Sequence, residues 1–117
     1  MSMHIGKALS LVGLAVAGAT VVQGQEAESS VPTGESLYAY HCVTCHGEGP
    51  RMPGTAALQL KYDGAVPALL TEREDLSPVV VRLIVRRGIN AMPFFRKTEI
   101  SDAELEAIAD FLTDRGK

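Results

Sequence analysis

Cys42-Val43-Thr44-Cys45-His46 is a C-x-x-C-H run, and its spacing dictates what it can do. Residues i and i+3 share a helix face, so both thiols can reach the two vinyl groups on one edge of a heme and hold it through thioether bonds. His46 comes next, where a helix would give way to Gly47-Glu48-Gly49-Pro50, so its imidazole can turn under the ring and bind the iron. Two other uses of the motif fit less well. Thiol–disulfide oxidoreductases carry C-x-x-C in a βαβ setting, and no segment of this chain reads as a strand. Structural zinc needs four ligands; the supply here is Cys42, Cys45, His46 and His41, and His41 adjoins Cys42.

A heme held from one side calls for a second axial ligand. Met92 lies in Arg87-Gly88-Ile89-Asn90-Ala91-Met92-Pro93-Phe94-Phe95, a loop between two well-capped helices. A soft thioether is a poor choice for a surface loop unless it packs or ligates, and Met/His is a standard axial pair. Met52 follows His46 too closely, in the loop that must pass the proximal side, and His41 is tethered by its neighbour Cys42. The expected cofactor-binding set is therefore Cys42, Cys45, His46 and Met92, with His46 and Met92 on the metal and no catalytic side chain. The other ring nitrogen of His46 should donate to a carbonyl, with Pro50 first and Pro53 second as acceptor. Arg51, Lys61 and Tyr62 are candidates for the heme propionates.

These groups must be positioned by short helices. Thr33 is a good N-cap for a first helix running to Cys42. Gly47 to Gly54, rich in Gly and Pro, reads as a loop, and Thr55 as the cap of a short helix over Ala56 to Tyr62, stopped by Asp63-Gly64. Ala65 to Asp75 is ambiguous, and Pro67 argues against a long helix there. Ser77-Pro78 opens the next helix and Gly88 closes it after Arg86-Arg87, with Val80, Leu83, Ile84 and Val85 as its apolar face. The last helix starts at a capping box, Ser101 with Glu104, stapled by Ile100 and Leu105; Leu105, Ile108, Ala109 and Leu112 make its stripe and Gly116 a stop. The fold class is all-α, several short helices wrapped around one covalently bound heme.

Composition agrees. The domain is small, has no Trp and only two cysteines, three apart, where a disulfide would close too short a loop to stabilise much. Domains this size need a staple, and a cofactor held by those cysteines would be one. Lys7, the uncharged run Ala8 to Val22 and the small residues Val22 and Gly24 form a secretory signal over residues 1–24. The run is shorter than the ~20 residues of a transmembrane helix. Residues 25–32 are a flexible polar leader and 33–117 the domain, expected in the periplasm and not membrane-spanning after cleavage. The net charge of −3 becomes one unit more acidic when Lys7 leaves, which argues against nucleic acid as a partner.

The chain resembles the class I c-type cytochromes across nearly the whole of the expected mature chain, from about Gln25 onward. Gly34, Tyr38 and Cys42 stand at intervals of four as in that family's first helix, where the glycine permits close crossing by the last helix, and Ile108 and Phe111 match the other side of that crossing. The Met92-Pro93 loop completes the pattern. The resemblance implies one heme c and one-electron transfer through a closed coordination sphere, with no enzyme activity of its own. Ile84 through Pro93 and the Ser101-Asp102 helix start are similar to the small cytochrome subunits of p-cresol methylhydroxylase-type flavoenzymes. Redox partner proteins would then be a dehydrogenase or flavoenzyme donor and an oxidase or other cytochrome acceptor. Arg82, Arg86, Arg87, Arg96 and Lys97 bracket the Met loop and could guide docking, or could simply be the solvated side of their helix. The alternative functions are a heme enzyme or gas sensor with an open sixth site, if Met92 does not bind, and behind it the thiol oxidoreductase.

Overall fold

The computed structural model describes residues 32–114. The expected signal over 1–24, nearly all of the 25–32 leader and Gly116 lie outside them. The expected all-α architecture is observed: α1 Gly34–His41, α2 Val43–His46, α3 Pro53–Tyr62, a 3-10 turn Leu70–Glu72, α4 Pro78–Arg87 and α5 Asp102–Thr113. Among the described residues β pairing is limited to an isolated bridge between Ile89 and Met92.

The helices begin where short polar side chains can accept orphan N–H groups. Thr33 accepts from the Ser36 amide and Ser77 from the Val80 amide. In the capping box of α5, the Ser101 amide donates to Glu104 Oε2 at 2.8 Å and the Glu104 amide to Ser101 Oγ at 3.3 Å. Cys42 ends α1 and starts α2: its amide donates to the Tyr38 carbonyl, and its own carbonyl accepts from His46 N at 2.8 Å. The first helix thus continues, bent at Cys42, to the end of the C-x-x-C-H run.

Two expectations shift. α3 starts at Pro53 rather than after Thr55, because proline is preorganised for the first helical position, where it has no donor to leave unpaired. Thr55, released from capping, donates its hydroxyl to the Gly47 carbonyl at 2.8 Å and ties α3 to the loop behind His46. On α4 the buried stripe is Val81 and Val85, four apart, while Val80 and Leu83 are exposed. The buried apolar side chains of α4 thus form one i, i+4 ridge.

The core forms where α1 crosses α5. A Cβ built on Gly34 would lie 2.0 Å from the Ala107 carbonyl oxygen and 2.7 Å from Phe111 Cβ, so only a residue without a side chain lets the backbones meet. Tyr38 stacks on Phe111 with ring centroids 5.6 Å apart, and Leu37, Ile108, Ala109 and Leu112 fill the space around them. The stretch after α3 is fixed by a polar cluster that the sequence did not suggest. Arg73, the one buried charged residue among those described, donates from Nε to Asp75 Oδ1 at 2.8 Å and lies 4.7 Å over the Tyr62 ring.

Gly34→Ala should lower stability by about 1–3 kcal/mol, the range for overpacking a tight contact, read as the shift in urea midpoint; a change below ~0.5 kcal/mol would mean that the crossing tolerates a methyl group. A second prediction concerns acid. Bonds from the Ser101 backbone hold Glu104 below the usual carboxylate range, so the stability it contributes is complete above its ordinary pKa of about 4.3 and goes as pH falls through the lowered folded value. Gln also serves at this capping position. Glu104→Gln should therefore keep α5 capped and flatten the fall in urea midpoint between about pH 5 and pH 2.5, and an unchanged slope would count against the linkage.

Candidate functional site

Between the end of α1, α2, the Met92 loop and the inner face of α5 lies a cavity whose wall contains Cys42, Cys45, His46 and Met92. All four predicted residues meet there, although two distant segments supply them. The rest of the wall is almost wholly apolar: Val85, Phe95, Ile100 and Ile108, with Pro93 at the Met92 side and His41 at the Cys42 side. The expected i, i+3 placement explains the cysteines, and His46, bonded through its amide to the Cys42 carbonyl four residues earlier, falls on the same wall.

Cys42 and Cys45 are free thiols. Burial, with a smaller contribution from Cys45 alongside, pushes the Cys42 thiol up to about 11, so it stays protonated at neutral pH. Burial also lowers the pKa of His46, which favours the neutral imidazole, the form with a lone pair free for a metal. The carbonyl of His46 accepts from the Tyr38 hydroxyl at 2.9 Å. Tyr38 therefore joins the α1–α5 core to the motif itself, a role that its position four residues before Cys42 hints at only in retrospect.

The expected carbonyl partner for His46 is not made. Its Nδ1 is buried without a hydrogen-bond partner, Pro50 sits on an exposed turn, and the carbonyl of Pro53 belongs to the first turn of α3. What faces the ring instead is Gly54: a Cβ built there would stand 2.7 Å from His46 Cε1, 2.9 Å from Nδ1 and 2.8 Å from the Cys45 carbonyl oxygen. The early start of α3 brings its first turn over the imidazole, and only glycine leaves room. In the sequence Gly54 reads as the end of a loop, and nothing adjacent to it signals its approach to the ring.

Met92 is held by a tight turn. Its amide donates to the Ile89 carbonyl at 2.9 Å and its carbonyl accepts from the Ile89 amide at 3.1 Å, around Asn90 at φ 52°. Gly88, at φ 69°, starts the turn where α4 ends. The loop closes as the Phe95 amide donates to the Val85 carbonyl at 2.8 Å. Met52, the competitor, is the N-cap of α3 and is not part of the cavity wall. His41 is in the wall, edge-on to Phe95 with centroids 6.5 Å apart. Lys61 and Arg73 both lie over Tyr62.

The basic cluster is largely neutralised. Arg82 pairs with Glu106, Arg86 and Lys97 with Asp102, and Arg96 with Glu99. Of the five, Arg87 has no ion pair among the described residues. Because Arg86 and Lys97 share Asp102, the five cations face three carboxylates, and any electrostatic guidance would rest on Arg87 and on the one charge that Asp102 leaves uncompensated.

Two thiols, a half-buried imidazole that burial favours in its neutral form and a thioether around an apolar cleft fit a covalently held heme. The same residues do not fit zinc: among the described residues no group of three His, Cys, Asp or Glu side chains is placed to hold a metal ion. No described helix is long and apolar enough to cross a membrane. Residues 29–112 match the family model described as Cytochrome C oxidase, cbb3-type, subunit III. No curated protein and no solved structure matches the chain.

Gly54→Ala should force the imidazole or the first turn of α3 to move. We expect a stability loss of about 1–3 kcal/mol and a lower yield of heme-bearing protein, with the exposed Gln59→Ala on the same helix as control. Equal yields and midpoints for the two variants would show that the approach of Gly54 to the ring does not matter.

Proposed function

Because the chain belongs to the family of cytochrome c oxidase, cbb3-type, subunit III, and is thereby a class I c-type cytochrome, we propose that it carries single electrons through one heme c joined to Cys42 and Cys45 and ligated by His46 and Met92. The observation that carries this reading is the convergence of those four side chains on one apolar cavity. Family membership makes the chain an electron-transfer protein with a covalent heme. The finer statements, the axial pair and the count of one heme, rest on the cavity wall and on the single C-x-x-C-H run.

Bound there, a heme supplies a one-electron ferric–ferrous couple. The residues of the chain do the rest. Cys42 and Cys45 would hold the group covalently beside α1 and α2, and burial favours the neutral His46 that can ligate. Met92 offers a soft sulfur that favours the reduced state relative to a harder ligand. Val85, Phe95, Ile100 and Ile108 exclude water from that face. With His46 and Met92 both engaged, the site would leave no open position for a substrate, which suits electron transfer and leaves catalysis to the partner.

The setting is proposed to be the periplasm, supported by Lys7 and the uncharged run Ala8 to Val22. The donor is proposed to be a dehydrogenase or flavin-dependent hydroxylase, supported by the likeness of the Met loop region to the p-cresol methylhydroxylase-type subunits. An oxidase or another cytochrome would be the acceptor, and the family description supports the first of these.

Mature protein from cells able to attach heme should keep its red colour on the polypeptide after acid–acetone treatment. The ferric form should show the weak sulfur-to-iron charge-transfer absorption at the red end of the visible spectrum, and Met92→Ala should abolish it. Colour that extracts into the solvent would defeat the covalent assignment; an absorption that survives in Met92→Ala would remove Met92 from the iron.

A further inference from the structure

The Met92 loop leaves α4 at Gly88 and reaches α5 at Ser101, and one side chain spans its two ends. Arg86 Nη1 donates to the Phe95 carbonyl at 3.1 Å while Nη2 donates to Asp102 Oδ1 at 2.9 Å. The other oxygen of Asp102 accepts from Lys97 at 2.6 Å. Before Arg96 the other closures, Ile89 to Met92 and Phe95 to Val85, are backbone bonds that tie the loop to itself and to α4. Arg86 adds a tie from the loop to α5. Arg82, one turn earlier, is a natural comparison: it bridges α4 to Glu106 on α5 through two hydrogen bonds of 2.8 and 3.0 Å and makes no recorded bond to the loop.

We propose that Arg86 is a positioning residue for Met92, a latch that holds the loop against both helices and so keeps the thioether in place to ligate. The proposal rests on the reading of Met92 as a ligand. The guanidinium is suited to the task because its planar fork presents two donors at a fixed angle, one to a carbonyl and one to a carboxylate, which an ammonium cannot reproduce. The exposed ion pair with Asp102 alone would contribute little. The bond to the part-buried Phe95 carbonyl is charge-assisted and belongs to the stronger class. Loop opening is a local equilibrium, and a ligand that binds only the open form gains apparent affinity in proportion to the open fraction.

The test uses heme-loaded protein and compares Arg86→Gln, Arg86→Lys and Arg82→Gln with wild type. Imidazole binding to the ferric form and hydrogen exchange at the Met92 and Phe95 amides both read loop opening. Arg86→Gln should bind imidazole about tenfold more tightly, equivalent to about 1.4 kcal/mol, and speed exchange at those amides by a similar factor. Arg82→Gln should leave both within about twofold, and Arg86→Lys should fall between; if Arg86→Gln does not accumulate, Arg86→Lys stands in its place. Equal effects of the Arg82 and Arg86 variants would reduce Arg86 to an ordinary helix bridge and overturn the proposal, as would no effect at all. A wild-type ferric protein without the sulfur-to-iron absorption overturns the Met92 reading and the latch with it. If that absorption is present and exchange in Arg86→Gln is unchanged, only the latch fails.

Discussion

The contact on which the rest depends is the crossing of α1 over α5 at Gly34, where a backbone carbonyl occupies the space a side chain would need. With the helices that close, Tyr38 stacks on Phe111 and its hydroxyl reaches the carbonyl of His46. The C-x-x-C-H run continues α1 through the bend at Cys42, so the angle at which α1 meets α5 sets the direction in which both cysteines and the histidine face. A wider crossing would move the motif away from Ile108 on α5 and open the cavity.

Core and site are therefore one structure. Ile100, Ile108 and Val85 belong to the buried cluster and to the cavity wall at once. The burial that holds the helices together is the same burial that keeps His46 neutral and the Cys42 thiol protonated. A domain of this size has few buried side chains to spare, and sharing them between packing and ligation makes the cofactor part of the fold. This also explains why α4 can leave Val80 and Leu83 exposed: its apolar contribution is the single ridge of Val81 and Val85.

What was legible in the sequence was local. Thr33, Ser77 and the Ser101–Glu104 box announce their helices because a capping side chain acts on amides within three residues. The motif and the Met loop are legible for the same reason, as their chemistry is written in adjacent positions. The crossing at Gly34 was available through resemblance to class I cytochromes, not through spacing, and Ala107, whose carbonyl meets Gly34, went unnoticed because a backbone atom leaves no mark in a sequence. Gly54 and the missing partner of His46 were hidden because α3 starts three residues earlier than its capping signal at Thr55 implies. Arg73 was passed over because a buried arginine looks like a surface one until Asp75 and Tyr62 are seen around it.

The basic residues around the Met loop illustrate how charge in a sequence can mislead about function. Counted along the chain, Arg82, Arg86, Arg87, Arg96 and Lys97 look like a patch waiting for an acidic partner. In space, four of them face carboxylates on or just before α5. Those pairs are mostly exposed, so each contributes little to stability by itself, and their shared geometric effect is to fix α4 and the loop relative to α5. Opposite charges only a few ångströms apart also cancel at distances beyond the ~8 Å over which exposed charges act at physiological salt. Most of the cluster's charge is thus spent inside the domain, on the geometry around Met92, and what remains to draw a partner is Arg87 and the one charge left over where Arg86 and Lys97 share Asp102.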